Sequence, residues 1–486
     1  MTDANLYSLD RMIRIAIDVS AEKDFDRLMK KILLEAMDIC HCDAGTVYIK
    51  DDGFLHFHTV FTKSKGTSIS DQNSSIGIPP VPLKRTHVCA CAAIDNKKIN
   101  IPDIYNSTEY DFTGAQKYDA MNGYRTGSML VIPMSNEKNK VTGVLQLINS
   151  LDQDGNIIPF APEYEEVVSA LTSLASVILN NHTLTMEVKN LLNSFVQVMV
   201  DAIEERSAYN ATHTRSMVRY AERFLNWLDE TESPDRMTEE HKEAFLMSVW
   251  LHDIGKLVVP LEILDKPDRL SLRKDVIKNR IDTGCLMERL RAYEEPDKKD
   301  EHDRKREQME EAWKLIESAN NAVFLDDEKI AVLKKTAENT CLDAEGKEIP
   351  LLNEEELTAI TVQKGTLTSG ERKLIEKHVS FTADMLRKMH FKGEYEKVPF
   401  WSGSHHELLD GSGYPWGLTE KELPFESRLL TIIDIYDALT AEDRPYKPPM
   451  PPEKAFSVLE SMGDEGKIDK KLLGRFKESG AWRKKH

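Results

Sequence analysis

The sequence predicts three parts: an α+β domain on an antiparallel sheet, a long connecting helix, and an all-α C-terminal domain with a helical insertion. Three observations predict this. Between about residues 20 and 160, short apolar runs alternate with polar turns, the signature of strands and hairpins. From Pro162 onward, apolar residues recur at helical spacing, and neither proline nor glycine interrupts residues 163–232. Residues 200–486 keep a helical texture, with a highly charged block over 270–366.

Taken in order, residues 1–20 read as a helix, with Leu6, Leu9, Met12, Ile13 and Ala16 at helical spacing. The run AGTVYIKDDGFLHFHTVF is a hairpin about Asp51-Asp52-Gly53, and GSMLVIPMSNEKNKVTGVLQLINS repeats the form. The Pro/Gly/Ser-rich stretch 64–87 between them reads as a surface loop. These segments place an α+β domain at 21–182. Val167, Leu171, Leu174, Ile178, Leu184, Val188, Leu191 and Leu192 then form a stripe that continues through Phe195, Met199 and Ile203. A connecting helix is expected over 183–212, carrying His213 at its end, with homodimerisation along the stripe. The C-terminal domain spans 195–486, and 270–366 is its helical insertion.

Composition narrows the function. The 486 residues hold 64 Lys+Arg against 82 Asp+Glu, a net charge of −18. Such a surface repels phosphate backbones and argues against nucleic-acid binding, and equally against an anionic membrane surface. No run of 18 apolar residues exists, and the N-terminus lacks a signal-peptide pattern. Six cysteines are too few for a disulfide framework, so a cytoplasmic protein is expected. Cys40-His-Cys42 and Cys89-Ala-Cys91 have the wrong spacing for the common structural zinc sites, and core packing is the favoured reading.

The chemistry lies in the C-terminal half. His252-Asp253-Ile-Gly-Lys256 follows the apolar run AFLMSVWL and precedes a glycine, so it ends a helix. An imidazole beside a carboxylate offers two ligand types at one point, and a carboxylate has two oxygens with which to bridge two cations. His405-His406 adds two imidazoles from one turn. A lone buried histidine is usually structural, but the pairs together with His213 and His378 shift the reading towards metal.

These motifs resemble the HD-GYP family of HD-domain phosphohydrolases. The resemblance rests on His252-Asp253-Ile-Gly-Lys256 and on His405-His406-Glu407-Leu-Leu-Asp410-Gly-Ser-Gly413-Tyr414-Pro415. It continues in LTSGERKLIEKH, ending at His378, in Asp434-Ile-Tyr-Asp437-Ala-Leu-Thr440 and in Arg444-Pro-Tyr-Lys447, and covers about 195–270 plus 366–486. It implies hydrolysis of cyclic di-GMP to linear pGpG, GMP or both, through water activated by a metal pair. One metal would be held by His213, His252, Asp253 and Asp434, and a second by Asp253, His378, His405 and His406. Asp253 and Lys256 would be catalytic; Lys256, Tyr414, Arg444 and Lys447 would meet substrate. Some members place a glutamate for a third metal where this chain has Tyr209; Glu205 is too far along the helix, so two divalent ions are expected, iron foremost and manganese next. The rivals are a 3′,3′-cyclic GMP–AMP phosphodiesterase, a non-catalytic cyclic-dinucleotide receptor, and a hydrolase of ordinary nucleotides. The loop at Tyr414 and the insertion are candidate surfaces for protein partners.

The N-terminal segments INIPDIY, GYRTGSMLVIPM and GVLQLIN resemble the GAF domain, a small-molecule sensor fold. The resemblance implies an unidentified small-molecule ligand. Asn149, Phe160 and Glu165 sit at altered spacing relative to a cyclic-nucleotide signature, which disfavours that ligand.

Overall fold

The computed structural model describes residues 24–70, 79–136, 139–206, 212–441 and 449–483. The helix expected over 1–20, Tyr209, Arg444 and Lys447 lie outside the described residues. The chain divides into two compact units, Met1–Leu192 and Asn193–His486.

In the first unit, β1 (Cys42–Asp51), β2 (Phe54–Thr62), β3 (Thr67–Ser70), β5 (Ile99–Ile101), β6 (Met129–Ser135) and β7 (Val141–Leu151) form an antiparallel sheet in the order β3-β2-β1-β7-β6-β5. The short strands β4 (Val81–Pro82) and β8 (Ile157–Ile158) pair with β2 and β7. Asp52 and Gly53 turn the β1–β2 hairpin with φ of 39° and 82°, left-handed values that glycine tolerates best. Because side chains alternate across a sheet, Val47, Leu130, Ile132, Leu145 and Leu147 share one core cluster. The helices α1 (Phe25–Ile39) and the start of α4 (Pro162–Arg206) cover it with Leu28, Ile32, Val168 and Leu171. Tyr48, Met129, Val131 and Val144 face the other way, against α2 (Val88–Asp95). The stretch 64–87 is therefore not wholly loop: it holds β3 and β4, whose backbones pair with the open edge and end of β2.

The cysteine pairs are separated by this layering. Cys40 and Cys42 belong to the first cluster, Cys89 and Cys91 to the second. Burial pushes the thiols of Cys40 and Cys89 up to about 12, so both stay protonated and pack as small apolar groups. A cavity of about 330 Å³ is lined by Tyr48, Phe57, Phe61, Phe112, Tyr124 and Gln146, among others. Asn149, Phe160 and Glu165 do not line it. Asn149 accepts from the Gly127 N–H and donates to the Arg125 carbonyl, and Glu165 accepts from Asn100.

The second unit is helical. It contains α5 (His213–Glu230), α6 (Glu239–Leu251), α12 (Ser369–Arg387), α13 (Val398–Gly403), α14 (Phe425–Thr440), α15 (Pro452–Asp464) and α16 (Lys470–Ser479). Residues between α6 and α12 build a subdomain on α8 (Arg273–Glu294), α9 (Lys299–Asn320), α10 (Asp327–Ala337) and α11 (Glu354–Ile360), with Ile277, Ile281, Ile316 and Leu351 in a core of its own. A single short helix, α7 (Leu261–Leu264), precedes them. The subdomain is not purely helical: β9 (Thr340–Leu342) and β10 (Glu348–Pro350) form a hairpin around Gly346, at φ 78°. Three-residue strands are too short to show a period in sequence. Buried Arg269 ties its two ends, donating to the carbonyls of Val362 and Ala319.

Candidate metal centre

Local sequence rules aim each imidazole. Thr368 and Glu371 form a capping box that starts α12, which explains the LTSGE motif and brings His378 two turns along the helix. Thr238 caps α6, which ends at His252. After Asp253 the chain tightens into a 3₁₀ turn, Ile254–Val258, pressed on α12. A Cβ on Gly255 would lie 1.9 Å from the His378 carbonyl oxygen, so only glycine fits there. Thr382 locks the contact: its hydroxyl accepts from the Gly255 N–H and donates to the His252 carbonyl.

The structure brings together His213, His252, Asp253, His378, His405, His406 and Asp434 from α5, α6, α12, α14 and the turn after α13. Nδ1 of His252, His378 and His405 lies 2.7, 2.6 and 2.6 Å from the carbonyl oxygens of Val249, Ile375 and Ser402, each three residues earlier. A carbonyl only accepts, so each Nδ1 carries the hydrogen and each Nε2 presents a lone pair inward. The Nδ1 of His213 lies 2.7 Å from Asp437 Oδ2, a carboxylate serving the same end.

Asp253 stands between two groups of imidazoles. Its Oδ2 is 3.2 Å from His252 Nε2 and 3.8 Å from His213 Nε2. Its Oδ1 is 3.3 Å from His378 Nε2 and 3.9 Å from His405 Nε2. Asp434 is placed similarly, with Oδ1 3.3 Å from His213 Nε2 and Oδ2 3.6 Å from His406 Nδ1. Lys256 reaches back to Asp253 Oδ2 at 2.6 Å.

Burial and neighbouring charges set the protonation states. Burial opposes ionisation of Asp253, but Lys256 and His252 outweigh it and hold the carboxyl well below the usual range. Asp434 is likewise lowered, against burial, by His213 and His406. Burial drives the His405 imidazolium well below its ordinary value and that of His406 down to about 4, so both rings are neutral. His213 moves the opposite way, up to about 10, because Asp434 and Asp437 overcome the burial penalty.

This donor set fits divalent cations. The Nε2 atoms of His378 and His405 are buried and have no hydrogen-bond partner among the described residues. Lone pairs stranded in this way cost free energy, and a cation satisfies them. Imidazoles beside two ionised carboxylates are the ligand types that first-row divalent metals take.

One sequence expectation is corrected. His213 does not ride on the long connecting helix: α4 ends at Arg206, and His213 opens a separate helix, α5. Thr212, before it, has non-helical dihedrals (φ −131°, ψ −5°) and sits at the N-cap position. Tyr414 packs its ring 4.9 Å from that of His406. Its loop is tied down by buried Glu407, which accepts from the N–H groups of Trp416 and Leu418. Sequence reasoning assigned no role to Asp437, Thr382 or Arg206. Asp437 was findable, since Asp434 and Asp437 share a helix face at i, i+3.

Comparison with known proteins follows this division. Residues 24–179 match the GAF domain family, and residues 355–472 match the HD domain family. The HD match contains His378, His405, His406 and Asp434, while His213, His252 and Asp253 lie before it, beyond the inserted subdomain. A 3′3′-cGAMP-specific phosphodiesterase of Vibrio cholerae is 37% identical over 102 residues, 21% of each chain. A cyclic di-GMP phosphodiesterase of Thermotoga maritima is 48% identical over 59 residues, 12% of this chain and 16% of that one. Another, from Pseudomonas aeruginosa, is 37% identical over 83 residues, 17% of this chain and 19% of that one. The chain thus spans about a fifth of the length of the curated relatives it matches.

Proposed function

We propose that this chain, which carries a GAF domain and an HD domain, is a metal-dependent cyclic di-GMP phosphodiesterase regulated through its GAF domain. The observation that carries the reading is the carboxylate of Asp253, one oxygen facing His252 and His213, the other facing His378 and His405. His213, His252 and Asp434 with one oxygen of Asp253 would hold one cation; His378, His405 and His406 with the other oxygen would hold a second. Two such cations supply Lewis acidity toward phosphoryl oxygens and make water a stronger nucleophile. The five imidazoles and two carboxylates suit Fe(II) and Mn(II), and iron is the proposed metal.

Hydrolysis joins the oxygen of water to phosphorus and expels the 3′ oxygen, which takes up a proton. The chain's own residues prepare that exchange. Hydrogen bonds to the carbonyls of Val249, Ile375 and Ser402 hold three rings in one tautomer. Lys256 neutralises Asp253 and presents N–H donors where an anionic phosphate would enter. Tyr414, against His406, forms one wall of the substrate site. Arg444 and Lys447 complete the proposed phosphate contacts. All seven candidate ligand positions are filled, which supports catalysis over a purely receptor role.

The cavity of about 330 Å³ supports a small-molecule ligand for the GAF domain. The Tyr414 loop and the inserted subdomain are proposed protein-partner surfaces, and homodimerisation is proposed along α4. Cysteines without disulfides support a cytoplasmic location. The decisive assay incubates the iron- or manganese-loaded full chain with cyclic di-GMP and 3′,3′-cyclic GMP–AMP and resolves the products by chromatography. Cleavage of cyclic di-GMP to pGpG or GMP is expected. Cleavage of the mixed dinucleotide alone would move the reading to the second substrate, which the similarity to the Vibrio cholerae protein favours. No cleavage of either, with metal bound, would overturn it.

A further inference from the structure

The inserted subdomain holds a cleft of its own, of about 170 Å³, between α8, α9 and the β9–β10 hairpin. Glu288, Lys305, Met309, Asn339, Glu348 and Leu351 are among the residues that line it. Lys305, Asn339 and Glu348 are exposed and form the rim, while Glu288 and Met309, each 5% exposed, and Leu351 form the floor. A glutamate is seldom buried without a partner that offsets its charge. Glu288 has no such partner. Its Oε2 lies 2.5 Å from Nδ1 of His302, the one hydrogen bond that its carboxylate makes among the described residues. A carboxylate offers about four lone-pair sites, so most of its capacity is unused. A second hydrogen on His302 would sit at Nε2, which is buried with no hydrogen-bond partner among the described residues. Stranding an N–H there is costly, so the ring orients Glu288 without cancelling its charge. Lys305 does not cancel it either: its Nζ lies 3.0 Å from Glu301, on its own helix.

From this geometry we infer that the cleft binds a small α-amino acid as its zwitterion. The ammonium group donates to the buried carboxylate of Glu288, and the ligand's carboxylate meets Lys305 at the rim. Charge, size and lining select that class. An anion without an amine would face Glu288 and Glu348, and an amine without an acid would leave Lys305 unanswered. A cavity of about 150 Å³ accommodates benzene, so this cleft admits a ligand of roughly six to ten non-hydrogen atoms. Met309 and Leu351 offer an apolar surface to a short side chain, and the Asn339 amide can both donate and accept. A metal ion fits less well. Among the described residues, the groups of three close His, Cys, Asp or Glu side chains all belong to the metal centre, and none includes Glu288 or Glu348. The amino-acid site stands independently of the catalytic reading.

Isothermal titration of the full chain with the proteinogenic amino acids, beside n-propylamine and propionate, tests it. At least one amino acid of about ten or fewer non-hydrogen atoms should bind, one per chain. Propylamine and propionate, which each carry half of the zwitterion, should bind at least tenfold more weakly. Glu288→Gln keeps the size of the side chain and an acceptor for His302 but removes the charge, and it should weaken binding at least tenfold. Lys305→Met should do the same. Lys305 is exposed, so that variant stays folded even if the buried substitution does not, and circular dichroism with a melting curve checks both. Failure of every amino acid to bind would overturn the inference. So would propylamine or propionate binding as tightly as the amino acid, or wild-type affinity in either folded variant, which would place the ligand elsewhere in the chain.

Discussion

Arg206, the last residue of α4, donates from Nη1 to the backbone carbonyl oxygen of Lys256 at 2.9 Å. The same guanidinium reaches the carbonyls of Leu257, at 2.5 Å, and Val259, at 2.8 Å. The end of the long helix is thus fastened to the turn that presents Lys256. Charge-assisted hydrogen bonds of this kind each contribute about 1.5–3 kcal/mol.

Replacing Arg206 with alanine frees that turn. Turnover should fall about tenfold, equivalent to about 1.4 kcal/mol in the barrier, with metal content unchanged. Steady-state kinetics beside elemental analysis checks this; loss of metal, or turnover at the wild-type rate, contradicts it.

Asp437 orients His213 without reaching the centre of the site. Asp437→Asn keeps an acceptor for the ring but removes the charge. Metal affinity should drop about 10- to 100-fold, as for other carboxylates that support a ligating histidine. Chelator competition measures the change, and an unaltered affinity would show that the contact is incidental.

Protonation of His213 makes metal uptake pH-dependent. In the metal-free chain its pKa rises to about 10, through Asp434 and Asp437 and against burial. Below that value the ring holds a proton that a cation must displace. His405 and His406 are neutral already and release none. Affinity should therefore rise with pH, about tenfold per unit between pH 7 and 9 for one displaced proton. Calorimetry in buffers of different ionisation enthalpy counts that proton, and a flat profile contradicts the assignment.

Gly255 is sterically committed, since an added Cβ would meet the His378 carbonyl oxygen at 1.9 Å. Gly255→Ala should destabilise the second unit by about 3 kcal/mol or more, because neither backbone can yield without moving a ligand. Thermal denaturation of the full chain reads the effect, and an unchanged transition would show that the turn and α12 separate easily.

Much of this architecture was legible in sequence, for a physical reason. His252 with Asp253, and His405 with His406, are adjacent in the chain, and the capping residues Thr368 and Glu371 announce the helix of His378 at a fixed offset. The hairpins of the sheet showed through their turn residues. The parts that stayed hidden depend on long-range packing. Arg206 meets Lys256 across fifty positions, and Thr382 meets His252 across 130. The break between α4 and His213 was masked by the absence of proline or glycine, and β9 and β10 are too short to carry a period.

The sharing of Asp253 between two groups of imidazoles is tested most directly by counting bound metal in the wild type and in Asp253→Asn. Two ions per chain are expected in the wild type, and fewer than one in the variant, with cleavage of cyclic di-GMP abolished. A variant that retained both ions and cleaved the ring at the wild-type rate would contradict the account.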